Sequence, residues 1–364
     1  MLKKRSNNSK AGVEQVASEV QTIKLGLDVH ADVIVVVRML DHSTPQPPQR
    51  FTPQKFLQWL PSQCKAAKEV HSCYEAGPFG YGLHRQLTQL GVQNLVIQPV
   101  CLDERHKGVN NDKTDAHELC QRLDRYVAGN KRALAIVRVP TPEEEQARIH
   151  SRQREQLKRE IKRIAAQGRS LLLSQGFRQK GKWWKQTRWP NLSQTLPAWL
   201  VERLQTFVRL LEAFEEEEIV LRAQIAAAAP QDVPKGMGAF TLQAAEREVG
   251  DWNRFKNRRQ VGSYTGLCGG VSSSGQSTRL LSITKHGNQR LRTLLVELAW
   301  RMKIWQPQCH AVQGWLEILQ QTGSAKASAR KKAIVAVARQ LAIDIWRWRT
   351  GRATAQELGW IVEG

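Results

Sequence analysis

Four acidic residues stand where a carboxylate carries an energetic cost. Asp28 lies in the apolar run Leu25-Gly26-Leu27-Asp28-Val29, and Glu75 follows another in Cys73-Tyr74-Glu75-Ala76-Gly77. Asp112 and Asp115 occupy positions i and i+3 in Asn111-Asp112-Lys113-Thr114-Asp115-Ala116. A carboxylate at the end of a buried strand is unfavourable unless positive charge compensates it. Four that converge would hold divalent metal, and two such ions clamp both the attacking and the leaving oxygen of a phosphodiester. The acids therefore predict Mg²⁺ or Mn²⁺ as cofactor. Generic surface acids would account for any one of the four.

A second constellation lies far along the chain. Residues 266–290 read GLCGGVSSSGQSTRLLSITKHGNQR, with Ser272, Ser273 and Ser274 before Gly275 and with Arg279, Lys285, His286 and Arg290 following. A serine hydroxyl is a weak nucleophile at neutral pH and needs a base, a metal or cationic neighbours to activate it. Glycines let a backbone approach a phosphate closely. Taken alone, the segment reads equally as a flexible phosphate-binding loop.

A third segment mixes cations with indoles: Lys182, Trp183, Trp184 and Lys185, then Arg188-Trp189. That pairing suits backbone phosphates and unpaired bases. The same tryptophans would also serve to pin the loop onto the protein. Pro234-Lys235-Gly236-Met237-Gly238 resembles the hairpin of helix-hairpin-helix modules, whose amides hold a phosphate, and reads as well as a plain turn.

The balance of charge agrees with a polyanionic partner. Fifty-five Lys and Arg against 33 Asp and Glu leave a net charge of +22, so nucleic acid is the natural ligand, with binding that weakens as salt rises. The 6 cysteines include no Cys-x-x-Cys pair, which argues against a disulfide framework and a structural zinc site. No apolar stretch approaches the ~20 residues that span a bilayer. The basic N-terminus is not followed by the apolar core of a secretory signal. A reducing cytoplasm is the expected compartment, with no membrane partner.

The elements that must position these residues fall into four stretches. Residues 1–22 read as a basic polar tail. Residues 23–140 read as α/β: strands at 23–29 and 32–38 joined by a tight turn at His30-Ala31, a short strand at 50–53, and strands at 70–75 and 94–98. Helices are expected at 54–67, 80–90 and 112–128, and 133–139 closes the domain as a strand. Residues 141–228 read as a helical hairpin. Thr141-Pro142-Glu143-Glu144 gives a capping box with Pro at the first helical position. Leu157, Ile161, Ile164 and Leu171 line one helix, and Leu200, Leu204, Phe207, Leu211, Phe214, Leu221 and Ile225 form a heptad seam on the other, broken at Glu218. The seam fits an intramolecular hairpin and a dimerisation coil alike. Residues 229–364 read as mainly helical, with helices at 288–304 and 326–349. The second of these has an apolar side (Ile334, Val337, Leu341, Ile345) and a basic one.

Two adjacent strands followed by strand–helix alternation resemble the ribonuclease-H-like fold. GLDVH, YEAGP, NDKTDA and GLCGGVSSSG…ITKHGN, in this order, resemble the DEDD transposases of bacterial insertion sequences, relatives of the Piv invertases. The resemblance covers about 23 to 350. It implies a RuvC-like N-terminal domain in which Asp28, Glu75, Asp112 and Asp115 form the metal-binding tetrad, and a C-terminal transposase domain with a nucleophilic serine. The family's serine immediately precedes a glycine, which selects Ser274, with Ser273 and Ser272 as the alternatives. Gly269 stands where the family often has Pro. The resemblance further implies DNA (element ends and target) as substrate, a structured noncoding guide RNA, assembly as a dimer or tetramer, and a bacterial, nucleoid-associated setting.

Tetrad and serine belong together for an energetic reason. Metal-activated water cuts a phosphodiester and its bond energy is lost, whereas a serine ester preserves it for rejoining. Arg279 and Lys285 are expected as phosphate clamps, and Arg290 with Lys182, Trp183, Trp184 and Lys185 as further nucleic-acid contacts. The rival readings are a junction-resolving nuclease that uses the tetrad with water, and a non-catalytic nucleic-acid-binding protein.

Overall fold

A computed structural model describes residues 20–99, 112–230, 232–274, 277–323 and 326–362. Its contacts divide the chain between Val139 and Pro140 into two compact units. The expected N-terminal tail lies almost wholly outside the described residues, and so does Cys101.

The first unit is built on a five-stranded mixed sheet. Strands β1 (Thr22–Val29) and β2 (Ile34–Leu40) pair antiparallel, and β3 (Gln49–Phe51) adds antiparallel to β2. Helix α1 (Pro53–Ala66) follows, started by Thr52, whose hydroxyl accepts from the Lys55 amide. Strand β4 (Glu69–Glu75), helix α2 (Gly82–Gln89) and strand β5 (Gln93–Ile97) continue, and β1, β4 and β5 run parallel. The spatial order is β3-β2-β1-β4-β5. Helix α3 (Asp112–Val127) completes the unit. The closing strand expected at 133–139 is reduced to a single bridge, Ile97 to Ile136.

Alternation along β1 assigns its two faces. Ile23, Leu25 and Leu27 pack with Phe56, Leu60 and Leu87 beneath α1 and α2. The other face carries Lys24, Gly26 and Asp28. Their neighbours Val35 and Val37 on β2 pack against Ala116 and Cys120 of α3, and Cys73 on β4 packs against Leu119 and Leu123. A strand covered on both sides reads as a nearly continuous apolar run.

Gly26 is the point of closest approach. A Cβ built there would overlap the Ala116 carbonyl oxygen and stand 2.5 Å from the Cys120 amide nitrogen, both backbone atoms of α3. Lys24 is fully buried, and its ammonium reaches Asp124 Oδ1 at 2.9 Å and the Asp41 carbonyl. His42 Nδ1 contacts the same Asp124 oxygen at 2.9 Å. Burial pushes the Asp124 carboxyl up, but Lys24 and His42 outweigh it and hold it below the usual carboxylate range.

The second unit begins with helix α4 (Pro142–Ser174), capped by the expected box: Thr141 Oγ1 accepts from the Glu144 amide at 3.2 Å, and Glu144 accepts from the Thr141 amide at 3.0 Å. After the short α5 (Trp189–Gln194), helix α6 (Ala198–Ala227) returns along α4. Leu200, Leu204 and Leu211 are buried against Ile164 and Leu172, with Phe207 and Phe214 partly covered. The heptad seam is therefore buried within the chain. Glu218 interrupts the apolar seam as expected, pairing with Arg154 at 2.5 Å, while α6 continues through it.

The rest of the unit packs around two long helices, α9 (Gln289–Trp305) and α12 (Ala327–Arg349). Between α6 and α9 come α7 (Ala239–Val249), α8 (Arg258–Thr265) and a hairpin of β6 (Gly269–Ser274) and β7 (Ser277–Ile283). The short α10 (His310–Gln313) and α11 (Leu316–Gln320) precede α12. Ile334, Val337, Leu341 and Ile345 are buried in its core, as their spacing predicts. Pro234–Gly238 is a turn rather than an open amide cradle: the Lys235 amide bonds to the Ile361 carbonyl, and Gly236 lies close under Trp305. No described helix is long and apolar enough to cross a membrane.

Replacing Gly26 with alanine forces a methyl into the backbone of α3. The substitution is expected to destabilise the first unit by about 2–3 kcal/mol, the cost of overpacking a tight site. Urea unfolding of the full chain measures it, and an unchanged midpoint would mean that α3 does not press on β1.

Candidate active site

Topology places Asp28 and Glu75 side by side. Leu27 pairs with Tyr74 in the parallel β1–β4 ladder, so Asp28 and Glu75 follow as the next positions on adjacent strand ends. Paired residues in a parallel ladder point to one face, and here that face is the one α3 covers. Cys73, two residues before Glu75, confirms the side: its Sγ donates to the Leu119 carbonyl of α3 at 3.5 Å. Burial pushes the Cys73 thiol strongly up, and Cys120 and the Glu75 carboxylate add to it. Cys120 is pushed up to about 11 by burial, so neither thiol is a nucleophile at neutral pH.

Helix α3 runs antiparallel to β1, since Asp124 lies by Lys24 and Ala116 by Gly26. From the crossing at Gly26, Asp28 lies ~7 Å further along the strand. Asp112 lies ~6 Å beyond Ala116 along the helix in the same direction. Asp115 is half-buried in the first turn of α3. The Asp112 side chain lies outside the described residues. Asp28 is held by a partner the sequence reading overlooked: His30 Nε2 is 3.0 Å from Asp28 Oδ2. Its signal was plain in Asp28-Val29-His30, where two residues of strand return to the same face. Among the described residues, no three His, Cys, Asp or Glu side chains are grouped closely enough to hold a metal ion.

The serine segment is a hairpin, not a loop. Val271, Thr278 and Ile283 supply β-propensity that the glycines and serines mask. Ser272 pairs with Arg279 and Ser274 with Ser277. Ser272 and Arg279 are exposed, whereas the side chains of Ser273 and Ser274 lie outside the described residues. Lys285 is exposed with a positive φ of 58°, its amide bonded to the Gly266 carbonyl. The Gly-Asn that ends the motif is structural. A Cβ on Gly287 would stand 2.5 Å from the Tyr264 carbonyl oxygen. Asn288 caps α9, accepting from the Leu291 amide at 3.0 Å and donating to buried Glu248 at 2.9 Å. Glu248 also takes both Nε and Nη2 of Arg152 at 3.2 Å. Arg290 is paired with Glu155 at 2.9 Å.

The tryptophan segment corrects the expectation of a stacking platform. Trp183 is 0% and Trp184 3% exposed, so neither ring is open to a base. Trp183 lies on Gly168, where any side chain would overlap the indole, and donates to the Ala165 carbonyl at 3.1 Å. Trp184 Nε1 donates to Glu215 at 3.1 Å, and Lys182 and Lys185 bond the same carboxylate at 2.8 and 2.7 Å. The lysines that were expected to meet phosphate thus neutralise an internal acid at the hairpin tip.

The sequence model for "Transposase IS116/IS110/IS902 family" matches residues 234–313, the stretch that contains the serine hairpin. A putative transposase y4rJ of Sinorhizobium fredii is 32% identical over 305 residues, 75% of this chain and 75% of that protein. The transposase for insertion sequence element IS1328 of Yersinia enterocolitica is 27% identical, over 69% of this chain and 75% of its own. That for element IS1533 of Leptospira borgpetersenii is 23% identical, over 77% and 85%. These similarities make the protein a transposase. The chain belongs to the IS116/IS110/IS902 transposase family, and DNA transposition is its activity.

The hairpin tip makes a pH prediction. Burial pushes the Glu215 carboxyl up, but hydrogen bonds from Lys182, Lys185 and Trp184 outweigh it and hold it below the ordinary value of 4.5. A lowered folded-state value contributes stability above 4.5 that is lost as the pH falls through the folded value. The difference in melting temperature between the native chain and Glu215→Gln should therefore shrink as the solution is acidified below 4.5. A difference independent of pH would show that the carboxylate charge contributes nothing there.

Proposed function

We propose that the protein cuts and rejoins DNA with Ser274 as nucleophile and with Asp28, Glu75, Asp112 and Asp115 as ligands of Mg²⁺ or Mn²⁺. The observation that carries this reading is the shared face: Asp28 and Glu75 end adjacent parallel strands on the side where α3 begins with Asp112 and Asp115. The order β3-β2-β1-β4-β5, antiparallel on one side and parallel on the other, supports a ribonuclease-H-like, RuvC-like reading of the first unit.

An all-carboxylate donor set fits a hard cation that prefers oxygen, and two carboxylates fixed on strands with two on a helix allow the set to close around it. Asp28 and Glu75 would hold the ion from the sheet, Asp112 and Asp115 from the helix. When bound, the ion supplies neutralisation of the charge on the transferred phosphoryl group. His30 orients the Asp28 carboxylate by its 3.0 Å contact, as outer partners of metal ligands do. The Ser274 oxygen attacks phosphorus and gives up its proton. The bond from phosphorus to one strand breaks, releasing that strand's hydroxyl and leaving a serine phosphodiester. Attack by a strand hydroxyl reverses the sequence and restores a DNA phosphodiester, so no outside energy is needed. Arg279 and Lys285, both exposed near the serine segment, hold the phosphate oxygens.

A structured noncoding guide RNA and assembly as a dimer or tetramer belong to the same proposal. Their support is the resemblance of the motifs.

Asp28→Asn is expected to abolish strand cleavage while DNA affinity stays within about twofold, since it removes a metal ligand and no phosphate contact. Mg²⁺ or Mn²⁺ should raise the melting temperature of the native chain and not that of Asp28→Asn, because binding to the folded state stabilises it by mass action. A melting curve that neither ion moves would remove the tetrad from the reading. Ser274→Ala should eliminate the covalent protein–DNA adduct seen after denaturation with labelled DNA. An adduct that persists transfers the role to Ser272 or Ser273, and hydrolysed ends with no adduct in the native chain would instead mark a nuclease.

A further inference from the structure

Beside the serine hairpin, within the second unit, lies a cleft of about 1100 Å³. Strand β7 contributes Leu281 and Ile283 to it, and α12 contributes Val335 and Ile343. Five cations line it: Arg258 and Arg259 at the start of α8, and Lys331, Lys332 and Arg339 on α12. No aspartate or glutamate lines it. Arg258, Arg259, Lys331 and Lys332 are exposed, and Arg339 has a buried Nε without a hydrogen-bond partner among the described residues. Trp315, 38% exposed, also faces the cleft.

None of the five cations makes an ion pair among the described residues, and this is not for lack of acids in the unit. Arg152 is paired with Glu248, Arg154 with Glu218, Lys182 and Lys185 with Glu215, and Arg290 with Glu155. A second large cleft, below the α4–α6 hairpin, has seven cations but intersperses them with Glu155, Glu248 and Glu297. Among the described residues, the cleft beside the hairpin and the smaller pocket that shares Arg258, Gln340 and Ile343 with it are lined by cations and by no acid. Clustered like charges repel, and a polyanion that displaces their counterions relieves that repulsion. Both α8 and α12 begin at the cleft, and the start of α12 has no side-chain cap, so helix-end amides add to the positive potential.

The apolar lining narrows the ligand further. A duplex presents phosphates and hides its base faces. A cleft that combines cations with aliphatic carbon and an indole suits bases that are out of the stack. The lining includes Ser282, Ser328, His310 and Gln340 and does not itself select against ribose; DNA is the strand chosen because transposition acts on it.

We propose that this cleft binds an unpaired DNA strand, with phosphates on the five cations and a base on Trp315, and leads it along β7 to the serine hairpin. The delivery to the hairpin rests on the reading of Ser274 as nucleophile, whereas the binding does not.

The test is fluorescence anisotropy of the full chain with labelled oligothymidylate across a series of salt concentrations, in EDTA so that no metal-dependent step contributes. Lys331→Glu combined with Lys332→Glu should weaken binding at least ~10-fold and lower the salt slope by about 1.4, two single-strand phosphate contacts. Both side chains are exposed, so the fold tolerates the change, as circular dichroism would verify. Trp315→Ala should cost roughly tenfold with the slope unchanged. The control is Arg203→Glu with Arg209→Glu, the same charge change at exposed positions of α6. Equal losses in the two charge-reversed pairs would reduce the effect to overall charge and overturn the site. Preference for a duplex, or equal or tighter binding of oligouridylate that the same variant loses, would overturn its assignment to an unpaired DNA strand. Failure of the tetrad or of Ser274 leaves these affinities unmoved, and failure of the cleft leaves the adduct assay unmoved.

Discussion

The contact on which the first unit depends is the approach of α3 to Gly26. A helix rests on a strand at a distance set by the side chains between them, and here there is none. The helix backbone reaches the strand itself, with Ala116 and Cys120 above Gly26. Everything acidic follows from that crossing. On one side of it, buried Lys24 ties Asp124 of the same helix to β1. On the other, the strand carries Asp28 and the helix begins with Asp112 and Asp115. The glycine fixes the height of the helix and the lysine fixes its direction, so the helix start falls beside the ends of β1 and β4.

The second unit is governed by how it distributes an excess of positive charge. Where cations meet the packed interior they are paired: Glu215 gathers Lys182, Lys185 and the Trp184 indole, and Glu248 gathers Arg152 and Asn288. These acids cost desolvation and are retained because several donors converge on each. Cations beside the serine hairpin have no such acids. The division gives one part of the unit a rigid frame and leaves another part attractive to phosphate. A transposase needs both: a hairpin held in one place by Gly287 and Asn288, and a surface that brings a polyanion to it.

How much was legible in the chain varied with the kind of signal. The heptad leucines of α6, the capping box at Thr141 and the apolar face of α12 were readable because local spacing decides them. Asp28 and Glu75 stood out because carboxylates after apolar runs are unfavourable without a reason. The serine hairpin was misread as a loop, since glycine and serine carry little strand propensity and only pairing with β7 makes 269–274 a strand. The tryptophans were misread because Lys-Trp-Trp-Lys describes a nucleic-acid surface and a buried anchor equally well. What separates them is Glu215, thirty residues away along the chain and adjacent only after α6 folds back.

Residue types, their order and the net charge of +22 were sufficient for the elements, the polyanionic partner and the motifs of the family, because these depend on neighbours within a turn or a strand. Tertiary structure alone decided that Asp28, Glu75 and the start of α3 share one face, that the indoles are interior, and that five cations from two helices line a cleft without an acid. Each of those is a meeting of segments far apart in sequence. Their proximity is set by packing at sites such as Gly26 and Gly168, where the decisive feature is a side chain that is missing.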